Sequence, residues 1–217
     1  MPSSFPGAID NFTDPLSNSA LNSPSHAGQH QDLNDAVEKI ETYMGLVKVI
    51  PTSGVGCTIS ATGTITFSSG AFSVNGAFTS GYANYRVLID VATSSADPEV
   101  RLTLRASGTD SAANYYTGSW LVDSGGTLNY SQNGNYSRLN IAYATAANTC
   151  STSLDIFKPQ TANNTNWNGQ ATNSTGASGR TIAFGGAHLS AVAYDGFTLT
   201  PSTGTWSGTV RVYGYRN

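Results

Sequence analysis

Between Leu46 and the end of the chain, apolar and polar residues alternate in short runs. Val100, Leu102 and Leu104 are interleaved with Arg101, Thr103 and Arg105, Leu139, Ile141 and Tyr143 with Asn140 after Arg138, and Val210 and Val212 with Thr209 and Arg211. A period of two is that of a strand with one buried face. Further strands are predicted at 56–60, 63–67, 71–78, 84–92, 116–123, 150–157, 181–185 and 191–200, between runs of Gly, Ser, Asn and Asp. About ten strands and no convincing helix predict a mainly β head over residues 46–217, a two-sheet antiparallel β-sandwich of jelly-roll type. No regular repeat points to a propeller or β-helix.

The period changes in residues 25–45. Ser23-Pro24-Ser25 can cap a helix and Gly45 can end one in the left-handed conformation. Between them His26, His30, Leu33, Val37, Ile40 and Met44 recur at alternating intervals of four and three, a heptad seam with His30, Val37 and Met44 at a and His26, Leu33 and Ile40 at d. Asp32, Asn34, Asp35, Glu38, Lys39 and Glu41 flank the seam. So narrow a stripe suits identical helices better than a broad sheet, and Ile at d leans toward three strands, which predicts a homotrimer. The alternative is a monomer whose helix packs on its own head. The helix would be about 30 Å long and marginal alone.

Residues 1–24 show neither period. Pro2, Pro6, Pro15 and Pro24 exclude a helix, and Phe5, Ile9, Phe12, Leu16 and Leu21 are spaced irregularly among Ser, Asn and Asp. This reads as an extended arm, at most about 80 Å long, that lies on some other surface, the alternative being a disordered tail, which would usually carry fewer such apolar residues.

Composition narrows the function. Only 11% of residues are charged, against roughly 25% in ordinary domains, so the surface is polar yet largely neutral. A net charge of -3 and three lysines, Lys39, Lys48 and Lys158, give no footprint for nucleic acid. No run is long and apolar enough for membrane insertion, and the opening MPSSFPGAID lacks the regions of a signal peptide, so secretion by the general route is not expected. Cys57 and Cys150 are expected to be free, buried thiols.

Catalysis finds little support. The head has seven carboxylates, scattered from Asp90 to Asp195, whereas a glycosidase needs two converging across a cleft, and no nucleophile, metalloprotease, phosphate-loop or calcium-loop motif occurs. The expectation is a protein that is not an enzyme and has no cofactor. His26 and His30, at i and i+4, could chelate a metal; read as polar layers that fix helix register, they need none, and no metal is expected. His188 reads as an ordinary loop or strand residue. Ligand binding is the better prospect, because Asn114 to Trp120 and Asn163 to Asn168 place Tyr115, Tyr116, Trp120 and Trp167 among amides and hydroxyls where loops are expected. Sugars are commonly held by such a mixture.

Residues 4–45 resemble the amino-terminal segment of tail-fibre and other appendage proteins of tailed bacteriophages. The distinctive part is Ser25, His26, Gln29, His30, Asn34, Asp35 and Ala36 in the order Ser-His-x-x-Gln-His-x-x-x-Asn-Asp-Ala, and GTWSGTVRVYGYRN, residues 204–217, looks like the closing strand of many phage head domains. The resemblance implies a virion structural protein, located on the particle exterior. Its arm would bind other virion proteins of the tail or capsid, its helices would trimerise, and its head would face outward, toward host cell-surface carbohydrate. A capsid-anchored decoration fibre without an adsorption role and a virion-associated carbohydrate-active enzyme are the alternatives.

Overall fold

A computed structural model of the chain describes residues 26–215 except 44, 124, 147, 176 and 177. The predicted arm contacts Phe5, Ile9, Phe12, Leu16 and Leu21, together with Met44 and the side chain of His26, lie outside the described residues. The chain divides at Gly45 and Leu46 into two units.

The first unit contains one helix, α1, over His26–Tyr43. Gly45 beyond it has φ +87, the left-handed conformation that Gly adopts without penalty. Leu33, Val37 and Ile40 fall on one stripe of α1 and all three are exposed, as is His30. No helix among the described residues is long and apolar enough to cross a membrane.

The second unit is all strand and loop: β1 Leu46–Val49, β2 Ser53–Val55, β3 Cys57–Ile59, β4 Ile65–Phe67, β5 Phe72–Asn75, β6 Asn84–Ser94, β7 Glu99–Ala106 and β8 Thr109–Asp110. Then follow β9 Tyr115–Val122, β10 Leu128–Tyr136, β11 Leu139–Tyr143, β12 Cys150–Phe157, β13 Thr165–Thr175, β14 Ser178–His188, β15 Gly196–Pro201 and β16 Trp206–Tyr215. A ten-stranded sheet runs β10, β9, β14, β13, β12, β6, β16, β4, β3, with β1 also paired to β16; a six-stranded sheet runs β11, β7, β15, β5, β2, with β8 on β7. Every pairing among the described residues is antiparallel, and the fold is sandwich-like.

The core lies between the sheets. Tyr85, Val87, Ile89 and Val91 of β6, Leu154 and Ile156 of β12 and Val210 and Val212 of β16 form one cluster with Val100, Leu102 and Leu104 of β7 and Phe197 and Leu199 of β15. Alternation on β6, β7, β12 and β16 is that of strands with one face in this cluster and one outside it. Phe67 stacks on Phe72 with centroids 4.8 Å apart and lies 4.6 Å from Trp206, whose indole N–H donates to the Gly70 carbonyl at 2.8 Å. Cys150 is a buried free thiol, but Cys57 is only half-buried, because β3 is the last strand of its sheet. The sixteen strands among the described residues exceed the roughly ten predicted: β1, β2 and β8 are short, and β10 and β13 are polar or exposed along most of their length, so none of the five shows an apolar period.

His188, the last residue of β14, is fully buried. Nε2 pairs with Ser111 Oγ at 3.0 Å and Nδ1 with the Tyr194 hydroxyl at 3.2 Å, while the ring meets Tyr115 edge-on at 4.3 Å. Burial lowers its pKa below the usual imidazole value, and a hydrogen bond with the Ala113 backbone opposes that only in part. Folding therefore favours the neutral form. Above the unfolded pKa, near 6.5, neither state carries the proton; between it and the lower folded pKa the unfolded chain binds one and the folded chain does not, so stability falls as pH falls through that window, by at most about 1.4 kcal/mol per pH unit. Calorimetric melts from pH 7 to 5 should show this decline in the native protein and a flatter profile in His188→Gln; parallel profiles would remove His188 as its source.

Candidate functional site

The four aromatic residues singled out in the sequence fall on two strands, not on loops. β9 begins at Tyr115, and β13 runs through Trp167 with β12 on one side and β14 on the other. Within β9 the side chains alternate, so Tyr115 faces inward, fully buried, with its hydroxyl accepting the Leu104 amide at 2.7 Å. Trp167 is 4% exposed and its ring lies 5.9 Å from that of Tyr115. Both are core residues, which withdraws them from direct ligand contact. Tyr116 and Trp120, of the other parity, are exposed, Trp120 at 60%.

Register assembles a surface around these two. In one row across the sheet stand Gln170 of β13, Ala183 of β14, Trp120 of β9 and Tyr130 of β10. The next holds Asn168, Gly185, Gly118 and Gln132, and a third Asn166, Ala187 and Tyr116. All lie opposite the core-facing Trp167, Ala171, Ile182 and Phe184, on the outer face of the ten-stranded sheet. The result is a trough floored by Ala183, Gly185, Ala187 and Gly118, walled by amides on one side and by Tyr116, Trp120 and Tyr130 on the other. Tyr130 is 80% exposed. Two separate depressions lie along this face, one of about 540 Å³ on the aromatic side, lined by Tyr116, Gly118, Trp120, Tyr130, Gln132 and Ala187, and one of about 460 Å³ on the amide side, lined by Arg86, Ser153, Asp155, Asn168, Gln170 and Ala183; Gly185 lies between them and lines neither.

The floor glycines decide how the trough is understood. Gly in mid-strand weakens a sheet by roughly 0.5–1 kcal/mol relative to Ala, so it usually has a reason. At Gly186 the reason is steric, since a Cβ there would stand 2.0 Å from the Tyr116 carbonyl. At Gly118 the nearest atom to an added Cβ is 4.0 Å away, and at Gly185 it is 3.4 Å, an ordinary contact. Neither has a positive φ. The backbone does not require glycine at either position, and what their bareness maintains is open space between aromatic and amide walls. Comparison with protein-family models, curated proteins and solved structures gives no match to this chain.

The trough is neutral. None of the residues in the three rows is charged, and the nearest ion pair, Arg86 and Asp155, starts on the adjoining strand, where Asp155 pairs with Asn168 in register and with Arg86 on β6, and lines the depression on the amide side. Arg86 is bidentate to Asp155, Nε to Oδ1 at 2.8 Å and its terminal nitrogen to Oδ2 at 2.7 Å, and the Tyr215 hydroxyl donates to Oδ1 at 2.6 Å. Burial alone would raise the Asp155 pKa, but these bonds outweigh it and hold the carboxyl below its usual range. Among the described residues no group of three His, Cys, Asp or Glu side chains is placed to hold a metal ion.

Sequence reading missed Tyr130 and Gln132 because no strand was predicted at 128–136. A signal was present: β9 is followed by Asp123-Ser124-Gly125-Gly126-Thr127 and then by Leu128 and Tyr130 alternating with Asn129 and Ser131, a hairpin pattern.

Proposed function

We propose that this chain is a trimeric appendage protein of a bacteriophage particle, held by its N-terminal arm, whose head binds host-surface carbohydrate in the trough on the ten-stranded sheet. The observation that carries the binding role is the bare floor: glycines that the backbone does not need, between exposed aromatic rings and a line of amides. Aromatic faces stack on the C–H faces of sugar rings while neutral amides satisfy hydroxyls, and both kinds of group are within reach of one ligand here. Binding is favoured over cleavage because the rows contain no carboxylate, and Asp155 beside them is already engaged by Arg86 and Tyr215. The particle setting is supported by the resemblance of residues 4–45 and by the exposed stripe of Leu33, Val37 and Ile40 on α1, which a seam of identical helices would cover.

Gly118→Val tests the binding role. A Cβ has room, and a β-branched residue suits a strand, so stability should change by less than about 0.5 kcal/mol. The added methyls stand in the trough, and affinity for host glycans on an array should fall about tenfold or more. A stable variant that binds as the native protein does would refute the site.

A further inference from the structure

We infer that the trough takes an uncharged, internal stretch of polysaccharide lying along β14, rather than the acidic or terminal sugar of a chain. This rests on the carbohydrate reading above and narrows it. Three observations support it together.

The first is charge. In the three rows the side chains are Asn166, Asn168, Gln170 and Gln132, with Tyr116, Trp120 and Tyr130, all neutral, and the one cation at their edge, Arg86, lines the depression beside Asn168 and Gln170 together with Asp155, which neutralises it. Arg86, the closest guanidinium, spends its Nε and one terminal nitrogen on Asp155. An acidic sugar would bring a charge into partial burial without a counter-ion, which is strongly unfavourable.

The second is shape. From Ala183 to Ala187 the floor follows β14 for about 14 Å, room for roughly three linked sugar rings. The strip continues past Ala183 to Thr181, the next outward position, which is exposed. A pocket for a chain end would close around a single ring; this floor runs on past one.

The third is two-sidedness. Amides recur at every outward position of β13 from Asn166 to Gln170, and aromatic rings stand at Tyr116 and Trp120 across the floor. The matching ligand repeats along its length, with apolar ring faces on one side and hydroxyl edges on the other, as a pyranose chain does.

The test measures binding of the full-length protein to neutral glucan, mannan and galactan, to polyuronate and sialylated glycans, and to oligomers of increasing length, at low and high salt. The expected result is binding to a neutral polymer that strengthens up to about three sugars and then levels off, with less than about a twofold change between 0.05 and 0.5 M salt, since no charge pair is there to be screened. Preference for the acidic polymers, a steep salt dependence, or full affinity for a single terminal sugar would overturn the inference and leave the carbohydrate reading standing. Failure to bind any glycan, neutral or acidic, would overturn both.

Discussion

Trp120→Ala should leave the fold as stable as before and weaken carbohydrate binding by about 30-fold, while Trp167→Ala should do the opposite. The two residues have the same chemistry and lie two strands apart, but on opposite faces of one sheet. Trp120 is 60% exposed in the trough wall, beside Tyr130 in register, so truncating it removes little that folding depends on. It does remove the largest stacking surface available to a ligand, and aromatic anchors of this kind are typically worth about 2 kcal/mol, or roughly 30-fold. Trp167, 4% exposed, packs near Tyr115, and deleting its ring leaves a cavity that should cost about 3–5 kcal/mol of a total stability that is usually about 5–15. Its indole N–H has no protein partner among the described residues, so Trp167→Phe, which keeps an aromatic ring in place, should cost far less than Ala. Chemical denaturation and glycan-array titration of the three variants measure both sides. A destabilised Trp120→Ala, or a Trp167→Ala as stable as the native protein, would contradict the assignment of faces.

Val37→Asp should abolish the homotrimer proposed above and leave single chains in solution. Val37 is central to the exposed stripe of α1, four residues after Leu33 and three before Ile40, and in a homotrimer three copies would meet near the axis. Three carboxylates there would be buried without partners, at about 3–5 kcal/mol each, more than a helix of under three heptads can offset. Sedimentation equilibrium should give the mass of one chain for the variant and of three for the native protein, while the thermal transition of the β unit persists. A native protein with the mass of one chain, or a variant that keeps three, would reject the seam.

The strands most legible in the sequence were those with one face in the core and one outside it. On β7 and β16 the alternation of Val and Leu with Arg and Thr reports burial directly, while on β11 the expected inward set of Leu139, Ile141 and Tyr143 holds only to Ile141, because a bulge between Asn140 and Ala142 turns Ala142 into the core in place of Tyr143. β13 was not legible as a strand. Its outward positions are Asn166, Asn168 and Gln170, and its inward ones mix Trp167 with Thr165, Gly169 and Asn173, so local preference argues for a loop while the ladders of β12 and β14 impose extension. β10 has exposed residues on both faces throughout its described length, which erases the period altogether.

For the trough, the aromatic and amide content of two segments was visible, but not which member of each pair faced out. Tyr115 and Tyr116 are neighbours with opposite fates, and only the register that fixes Tyr115 under Leu104 separates them. The floor had no signal at all, because Ala183, Gly185 and Ala187 matter for what they lack. Their role exists only once β14 is known to lie between β9 and β13.

The room above Gly118 and Gly185 gives this protein an unusual evolutionary freedom. Most binding sites are hard to alter because the residues that shape them also hold the scaffold, and a change of specificity is taxed in stability. Here a single substitution at either glycine adds a side chain to the trough without displacing a neighbour, since an added Cβ meets nothing closer than 4.0 Å at one and 3.4 Å at the other. Under the proposed binding role, variation can therefore accumulate on the floor of the trough while the sandwich beneath it stays the same.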